Sequence, residues 1–435
     1  MSVLLQLART EWWEPDRLLE HQLLQLGETL RHAYNTVPFY RKRFDAIGFR
    51  PGGSLTLDGW RELPLLTRRD IQDAGPELFS QSVPAPFGEL TEGETSGSTG
   101  EPVKSRGTQL DQLLWEAMTI REHQWHRRDL TGKLASIRAF SKGAGDPPHG
   151  TLMNDWGPPT NEIFVTGPGA LLSLTADIDT QARWLMQQEP DYLLTYPTNL
   201  MALIRRFSAR GDRLRRLRGV RTVGETVPAE LRAACRYVLG VALVDIYSSK
   251  EVHYIALQCP ESGQYHVMGE SALVEVIGGD GRPSGPGEVG RLVVSNLHNF
   301  AMPLIRYELR DYAEVGAPCP CGRGLPALAR IIGRSRNMLT LPTGEQTWPL
   351  VGFAEYREIA PIRQYQLVQR TLTGIEVRLV VDRPLTAAEE ARLTRVIRSA
   401  LGYPFELNFA YVPGEIPRTS GGKFEEFMSL LDPAP

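Results

Sequence analysis

The chain has 435 residues, of which 42% are hydrophobic and 23% charged, with a formal net charge of −3. That length implies two or three domains. The charge balance excludes the marked basic excess of a general nucleic-acid binder, and no apolar run approaches the ~20 residues that cross a bilayer, so no membrane partner is expected. Glu11, Glu14 and Asp16 surround a pair of tryptophans, unlike a signal peptide. Four cysteines are too few for a disulfide framework, and a reducing cytoplasm is the expected location.

In chain order, residues 16 to 47 read as helical, with Leu18, Leu19, Leu23, Leu24 and Leu26 interrupted by charge. Val37-Pro38-Phe39-Tyr40 breaks the pattern and starts a second short segment. Thr95-Ser96-Gly97-Ser98-Thr99-Gly100-Glu101-Pro102 follows, a stretch suited to a polyphosphate. Its glycines let successive N–H groups face one concavity, and its four hydroxyls add rotatable donors. It lacks the Gly-Lys-Ser/Thr of a Walker loop, and taken alone it is equally a polar surface loop.

From about 170 to 250, helices (Asp179 to Gln188, Thr198 to Arg210) alternate with buried strands (Arg218 to Val223, Val241 to Ile246). This alternation predicts a parallel sheet covered on both faces. Arg213, Arg215, Arg216 and Arg218 read as a solvated helix end. Leu273 to Ile277 and Arg291 to Ser295 flank the turn-rich Gly278-Gly279-Asp280-Gly281-Arg282-Pro283, a hairpin signal that adds an antiparallel portion. Beyond Gly333 come a strand (Ile375 to Val381), a helix (Ala387 to Ala400) and a strand (Glu406 to Val412), a βαβ-like tail able to form a small lobe. The expected fold is α/β: a large N-terminal domain, 1–333, with mixed and parallel sheets flanked by helices, and a small mobile α+β domain, 334–435.

Two further features carry chemistry. The tail ends in Pro417-Arg418-Thr419-Ser420-Gly421-Gly422-Lys423, where a lysine after a Gly-Gly loop can swing its ammonium onto developing negative charge. Cys259, His266, Cys319 and Cys321 make a possible closed tetrahedral Zn²⁺ set, with Cys319-Pro320-Cys321-Gly322 as a tight turn. Two reduced thiols in the Cys-x-Cys turn are the other reading. Cys235 reads as helix core.

In this order and at these separations, the segments resemble the adenylate-forming superfamily, most closely its phenylacetate–CoA ligase-like branch. The resemblance spans about His32 to Lys423, beginning with His32-Ala33-Tyr34-Asn35-Thr36-Val37-Pro38-Phe39-Tyr40. It implies that Thr95, Ser96, Gly97, Ser98, Thr99 and Gly100 bind ATP phosphates, and that Gly224, Glu225, Thr226, Asp245, Ile246, Tyr247 and Ser248 line the adenine and magnesium segments. Glu251 would hold Mg²⁺, Asp311 the ribose hydroxyls and Arg334 the phosphate or ribose near a hinge, while Lys423 would bridge the nucleophile and the α-phosphate. Some relatives in the branch carry cysteines and histidine near the positions of the Zn²⁺ set.

The implied activity is ATP-dependent conversion of a carboxylic acid, aromatic in this branch, to an acyl-adenylate, followed by transfer to coenzyme A. Transfer to a carrier-protein thiol or an amine stays open, as does a non-catalytic nucleotide sensor. The resemblance also implies a homodimer. Two departures from the family pattern stand out: Lys250 replaces the usual threonine before Glu251 and is a candidate for contacting the substrate anion, and Arg336 replaces the hinge aspartate. Phe140, Tyr196 and Tyr247 are candidate walls of an aryl pocket, with His149 and His253 as possible partners for a ring substituent.

Overall fold

The computed structural model describes residues 2–94, 103–334, 337–347, 349, 356, 358–418 and 424–431. The chain divides into two compact units, Met1–Ile332 and Gly333–Pro435.

In the larger unit, β1 (Leu90–Glu94) and β2 (Lys104–Thr108) pair as a separate antiparallel ribbon. The remaining strands are β3 (Leu134–Arg138), β4 (Thr151–Met153), β5 (Gly169–Ser173), β6 (Tyr192–Thr195), β7 (Gly219–Val223), β8 (Leu243–Ser249), β9 (His253–Gln258) and β10 (Tyr265–Val267). They continue with β11 (Ala272–Ile277), β12 (Val289–Asn296), β13 (Tyr307–Val315) and β14 (Ala327–Arg334). Among the described residues these strands form one mixed sheet in the order β11-β12-β13-β14-β10-β9-β8-β7-β6-β3-β5-β4. Strands β5, β3, β6, β7 and β8 run parallel, whereas β8–β9, β9–β10 and β11–β12 are antiparallel.

The parallel half forms because its strands are short apolar runs separated by amphipathic helices. Helix Ile178–Gln188 buries Ala182, Trp184 and Leu185, and helix Pro197–Arg210 buries Leu200, Leu203, Ile204 and Phe207. These side chains share one core with Ile137, Leu172, Leu193 and Val220 from the sheet. Asp177 caps the first helix through the Thr180 amide, and Gly211, at φ +71°, ends the second. The arginine cluster therefore lies past a helix end, but it is not simply solvated. Arg216 and Arg218 both reach the buried carboxylate of Asp191, at 3.2 and 3.3 Å.

At the N-terminal end, helix Pro15–Thr36 buries Leu18, Gln22, Leu26, Thr29, Leu30 and Ala33 along one stripe. Val37 adopts an extended backbone before Pro38, which ends this helix and opens the next, Pro38–Ala46. Both helices join the core that contains Trp60, Ile255, Val294 and Tyr307.

The smaller unit contains the hairpin β15 (Leu339–Thr340) and β16 (Gln346–Thr347). It also contains β17 (Ile362–Gln369), β18 (Gly374–Val381), β19 (Glu406–Tyr411) and β20 (Phe427–Ser429), in the sheet order β19-β18-β17-β20. Strands β18 and β19 are parallel and joined by helix Ala387–Leu401, the βαβ unit read in the sequence. Thr386 and Glu389 close that helix with a reciprocal capping box, and Leu393, Ile397 and Leu401 pack it onto the sheet.

Helix Gln109–Trp125 carries Glu122, which is wholly buried and pinned between guanidinium groups. Arg128 donates to both of its oxygens, at 2.5 and 2.6 Å, and Arg221 on β7 lies 2.9 Å away. Burial alone would raise the Glu122 carboxyl, but Arg221 and Arg128 outweigh it and hold the group well below the usual carboxylate range. The neutral variant Glu122→Gln leaves two cations uncompensated, and a loss of about 3–5 kcal/mol is expected from chemical denaturation. Because the folded group stays ionised, its contribution is complete above the unfolded carboxylate range near pH ~4 and drains away as the pH falls further.

Candidate active site

The carboxyl ends of the parallel strands, where open α/β sheets bind ligands, carry several of the sequence-predicted segments. Gly224-Glu225-Thr226 follows β7, with Gly224 at φ +82°, a conformation that glycine adopts without a Cβ penalty. Tyr247 and Ser248 lie on β8, and the turn from β8 to β9 presents Lys250 and Glu251.

One contact joins two segments that lie far apart in the chain. The Tyr247 hydroxyl donates to Oδ2 of Asp311 on β13 at 2.6 Å. Strands β9, β10 and β14 lie between β8 and β13 in the sheet order, so the sheet curls to bring them together. Glu251 sits on the same side chemically. Its Oε1 is 3.8 Å from Nη1 of Arg68, at the start of helix Arg68–Ala74, and both side chains are largely buried. Tyr307, four residues before Asp311 on β13, is coupled to this pair. Burial, then the Glu251 charge, pushes its phenol well above the usual range, so it remains protonated. A nearly dry carboxylate with a guanidinium at ion-pair distance suits a divalent cation, which takes oxygen donors. Arg68 was not singled out in the sequence, because nothing local marks it, and Tyr307 lies in the segment that carries Asp311 without having been given a role of its own.

Some predicted contacts need correction. Asp245 is sealed in the protein, accepting hydrogen bonds from Thr222 Oγ1 at 2.8 Å and the Tyr265 hydroxyl at 2.9 Å. Burial raises its carboxyl to about 6. Ile246 is likewise buried, packed in the core with Leu257 and Met268. Any contact of these two residues with a nucleotide is therefore confined to backbone. The Glu225 carboxylate accepts from the Thr198 amide at 2.9 Å and from its hydroxyl at 3.1 Å, capping helix Pro197–Arg210. It thus ties the segment after β7 to the Tyr196-Pro197-Thr198 segment. Thr226 and Lys250 are exposed.

On the acid side, Tyr196 is buried at the head of helix Pro197–Arg210, and Phe140 follows β3. Arg138 ends β3 with its guanidinium 5.5 Å from the Phe140 ring centroid. Among the described residues its buried Nε has no hydrogen-bond partner, and Tyr196, Arg221 and Tyr254 are its electrostatic neighbours. Arg138 was missed in the sequence; its signal was an arginine closing the apolar run Leu134 to Ile137 at the end where ligands bind. His253, at φ +68°, is held by Asp111 at 3.2 Å and stacks on Trp115. The His149 carbonyl accepts from the Trp184 indole.

The Cys/His set assembles. Ligand atoms of Cys259, His266, Cys319 and Cys321 all lie within 4.8 Å of one another. The Cys259 and Cys319 sulfurs are 3.7 Å apart, close to the ~3.8 Å edge of a tetrahedron with ~2.3 Å Zn–S arms. His266 Nδ1 faces the Leu325 carbonyl at 3.3 Å, leaving Nε2 aimed at the Cys321 sulfur at 3.2 Å. That outer contact fixes the tautomer a metal-binding imidazole needs. Burial holds the ring down at about 4, so it is neutral at physiological pH.

Thr95, Ser96, Gly97, Ser98, Thr99, Gly100 and Lys423 lie outside the described residues, as does Arg336. Arg334 ends β14, and Leu341 to Glu345 form the turn of the β15–β16 hairpin, with Gly344 at φ +86°.

No protein-family profile matches the chain. It is 27% identical to the phenylacetate–coenzyme A ligase of Escherichia coli strain K12, covering 93% of each chain. It is 26% identical to the enzyme of the same name from Thermus thermophilus, over 95% of this chain and 97% of that one. Among solved structures it superposes on a 2-hydroxyisobutyryl-CoA ligase captured in its postadenylation state, with a TM-score of 0.71 at 19% identity. That superposition covers 94% of this chain and 88% of the other and shows a shared fold.

Removing the charged cap that links the two loops is expected to loosen them. Glu225→Ala should lower unfolding free energy by about 1–2 kcal/mol in urea titrations, because the Thr198 amide loses its acceptor at a helix N-terminus.

Proposed function

As a homologue of the phenylacetate–CoA ligases within the adenylate-forming superfamily, this chain, we propose, activates a carboxylic acid with ATP and passes the acyl group to coenzyme A. In the first step an acid oxygen attacks the α-phosphorus while the bond to the pyrophosphate oxygen breaks. In the second the CoA sulfur, as thiolate, attacks the acyl carbon and AMP leaves. The observation that carries this reading is the Tyr247–Asp311 contact, which joins two predicted nucleotide segments 64 residues apart.

In this reading Asp311 accepts the ribose hydroxyls and Tyr247 orients its carboxylate. Glu251 is the Mg²⁺ ligand, and the bound ion would offset the repulsion between two anionic reactants. The Arg68 guanidinium, 3.8 Å away, positions Glu251. Arg138, beside Phe140 and electrostatically close to Tyr196, grips the acid's carboxylate through its terminal guanidinium nitrogens while the rings flank an aryl body. Lys250, exposed beside Glu251, reaches the substrate anion. Thr95 to Gly100 cradle the phosphates, and Lys423 supplies the ammonium in the transition state. Arg334 stands at the start of a mobile small lobe whose reorientation separates the two steps. Zn²⁺ held by Cys259, His266, Cys319 and Cys321 is structural, since a fully liganded ion leaves no open position for water. We assign the protein to the reducing cytoplasm, in keeping with four free cysteines.

Acid-dependent pyrophosphate release should appear with at least one member of a panel of aromatic acids, and thioester should form when CoA is added. No release across a broad panel would exclude the reading; release without thioester would restrict it to the first step. Arg138→Met is expected to raise KM for the acid at least tenfold while leaving KM for ATP within about twofold, the loss of one charge-assisted bond. Purified protein should carry zinc at one equivalent per chain. Cys319→Ser should lose it and melt at a lower temperature, and a metal-free wild type would remove the assignment.

A further inference from the structure

Strands β3 and β6 are parallel neighbours, with Leu134 opposite Tyr192 and Ser136 opposite Leu194. Carried two residues further, that register sets Arg138 beside Tyr196. The Thr195 hydroxyl holds the two strands together at this level, donating to the Ile137 carbonyl at 2.9 Å. Tyr196 keeps an extended backbone, φ −86° and ψ 149°, before helix Pro197–Arg210 begins. Its side chain and that of Arg138 therefore leave the sheet on one face, from strands ~4.8 Å apart, at the carboxyl end where ligands bind. The two are electrostatic neighbours.

Their polar atoms differ from those around them. Tyr254, the other phenol near Arg138, is paired with the Thr119 hydroxyl at 3.0 Å. Tyr196 is only 9% exposed, yet its hydroxyl makes no hydrogen bond to the described residues and is not sealed from solvent. The terminal nitrogens of Arg138 share that condition, with no hydrogen bond or ion pair among the described residues. A buried phenol ordinarily finds a partner for its hydroxyl. One left over beside an uncompensated guanidinium suits a ligand that brings both an anion and a neighbouring oxygen. Resting on the reading that the acid binds here, we infer that Tyr196 selects aromatic acids bearing a hydroxyl at the 2-position. The carboxylate lies on Arg138, and the Tyr196 O–H donates to the oxygen of the 2-hydroxyl, whose own proton is free to face the carboxylate.

Calorimetric titration of the full chain tests this with two pairs of acids, 2-hydroxybenzoate against benzoate and mandelate against phenylacetate. In at least one pair the 2-hydroxy acid should bind at least tenfold tighter, the scale of one well-made hydrogen bond. 4-Hydroxybenzoate, with its hydroxyl remote from the carboxylate, should show no such gain. Tyr196→Phe removes a hydroxyl that no described residue uses, so its melting temperature should match the wild type while the preference falls to within about twofold. Equal binding within both pairs, undetected binding included, would overturn the inference, as would a preference that survives Tyr196→Phe. An equal gain for 4-hydroxybenzoate, or a variant that weakens parent and 2-hydroxy acids alike, would overturn the 2-hydroxy class. Calorimetry reads binding without turnover. The preference without pyrophosphate release would therefore count against adenylation alone, and release from acids bound without preference against this inference alone.

Discussion

The curl of the large sheet brings the end of β8 against β13, and the Tyr247–Asp311 hydrogen bond marks where the two meet. A flat sheet would leave those strands separated by three others at ~4.8 Å spacing, far beyond the reach of one side chain. The parallel half, packed on both faces, offers its carboxyl ends as a ligand platform, and the antiparallel half folds over to supply Asp311 and Tyr307. Glu251 sits in the turn that joins the halves, so its carboxylate is placed by both. The charges that make such a site useful are costly to bury. The structure meets that cost with local partners: Arg68 for Glu251, Thr222 and Tyr265 for Asp245, and Arg128 and Arg221 for Glu122.

A second constraint acts at the turn of the β9–β10 hairpin. Cys259 and His266 lie on either side of the turn of that hairpin, while Cys319 and Cys321 come from the connection between β13 and β14. A metal held by all four would fasten the antiparallel strands whose curvature presents Asp311. Metal content and nucleotide binding are then linked through strand placement and not through chemistry at the metal.

Much of this organisation was legible in the sequence, and the reasons differ by element. The helices read over 179–188 and 198–210 and the strands read over 218–223 and 241–246 declared themselves by their apolar pattern, a local signal, whereas the strand Tyr192–Thr195 was not read. The β11–β12 hairpin was visible in its glycine-rich turn. The Cys/His set was legible because thiolates and imidazole have few other reasons to be grouped. What stayed hidden were the polar partners that single motif residues receive from distant segments. Nothing around Asp245 announces that Thr222 and Tyr265 will occupy its oxygens, so the burial of this motif residue's side chain could not be read. Glu225 was hidden in the same way, as a helix cap whose partner lies 27 residues upstream. Arg68 and Arg138 carry no motif, and only their burial beside Glu251 and the aromatic rings distinguishes them from surface arginines.

The central claim is that an acid oxygen attacks the α-phosphorus of a nucleotide held at this curled end of the sheet. It is tested most directly by following an ¹⁸O-labelled acid substrate through a complete reaction with ATP and CoA, with mass analysis of the phosphorus-containing products. The account predicts one labelled oxygen in AMP and none in pyrophosphate. Label in inorganic phosphate, with ADP as the nucleotide product, would place the attack at the terminal phosphorus and contradict it.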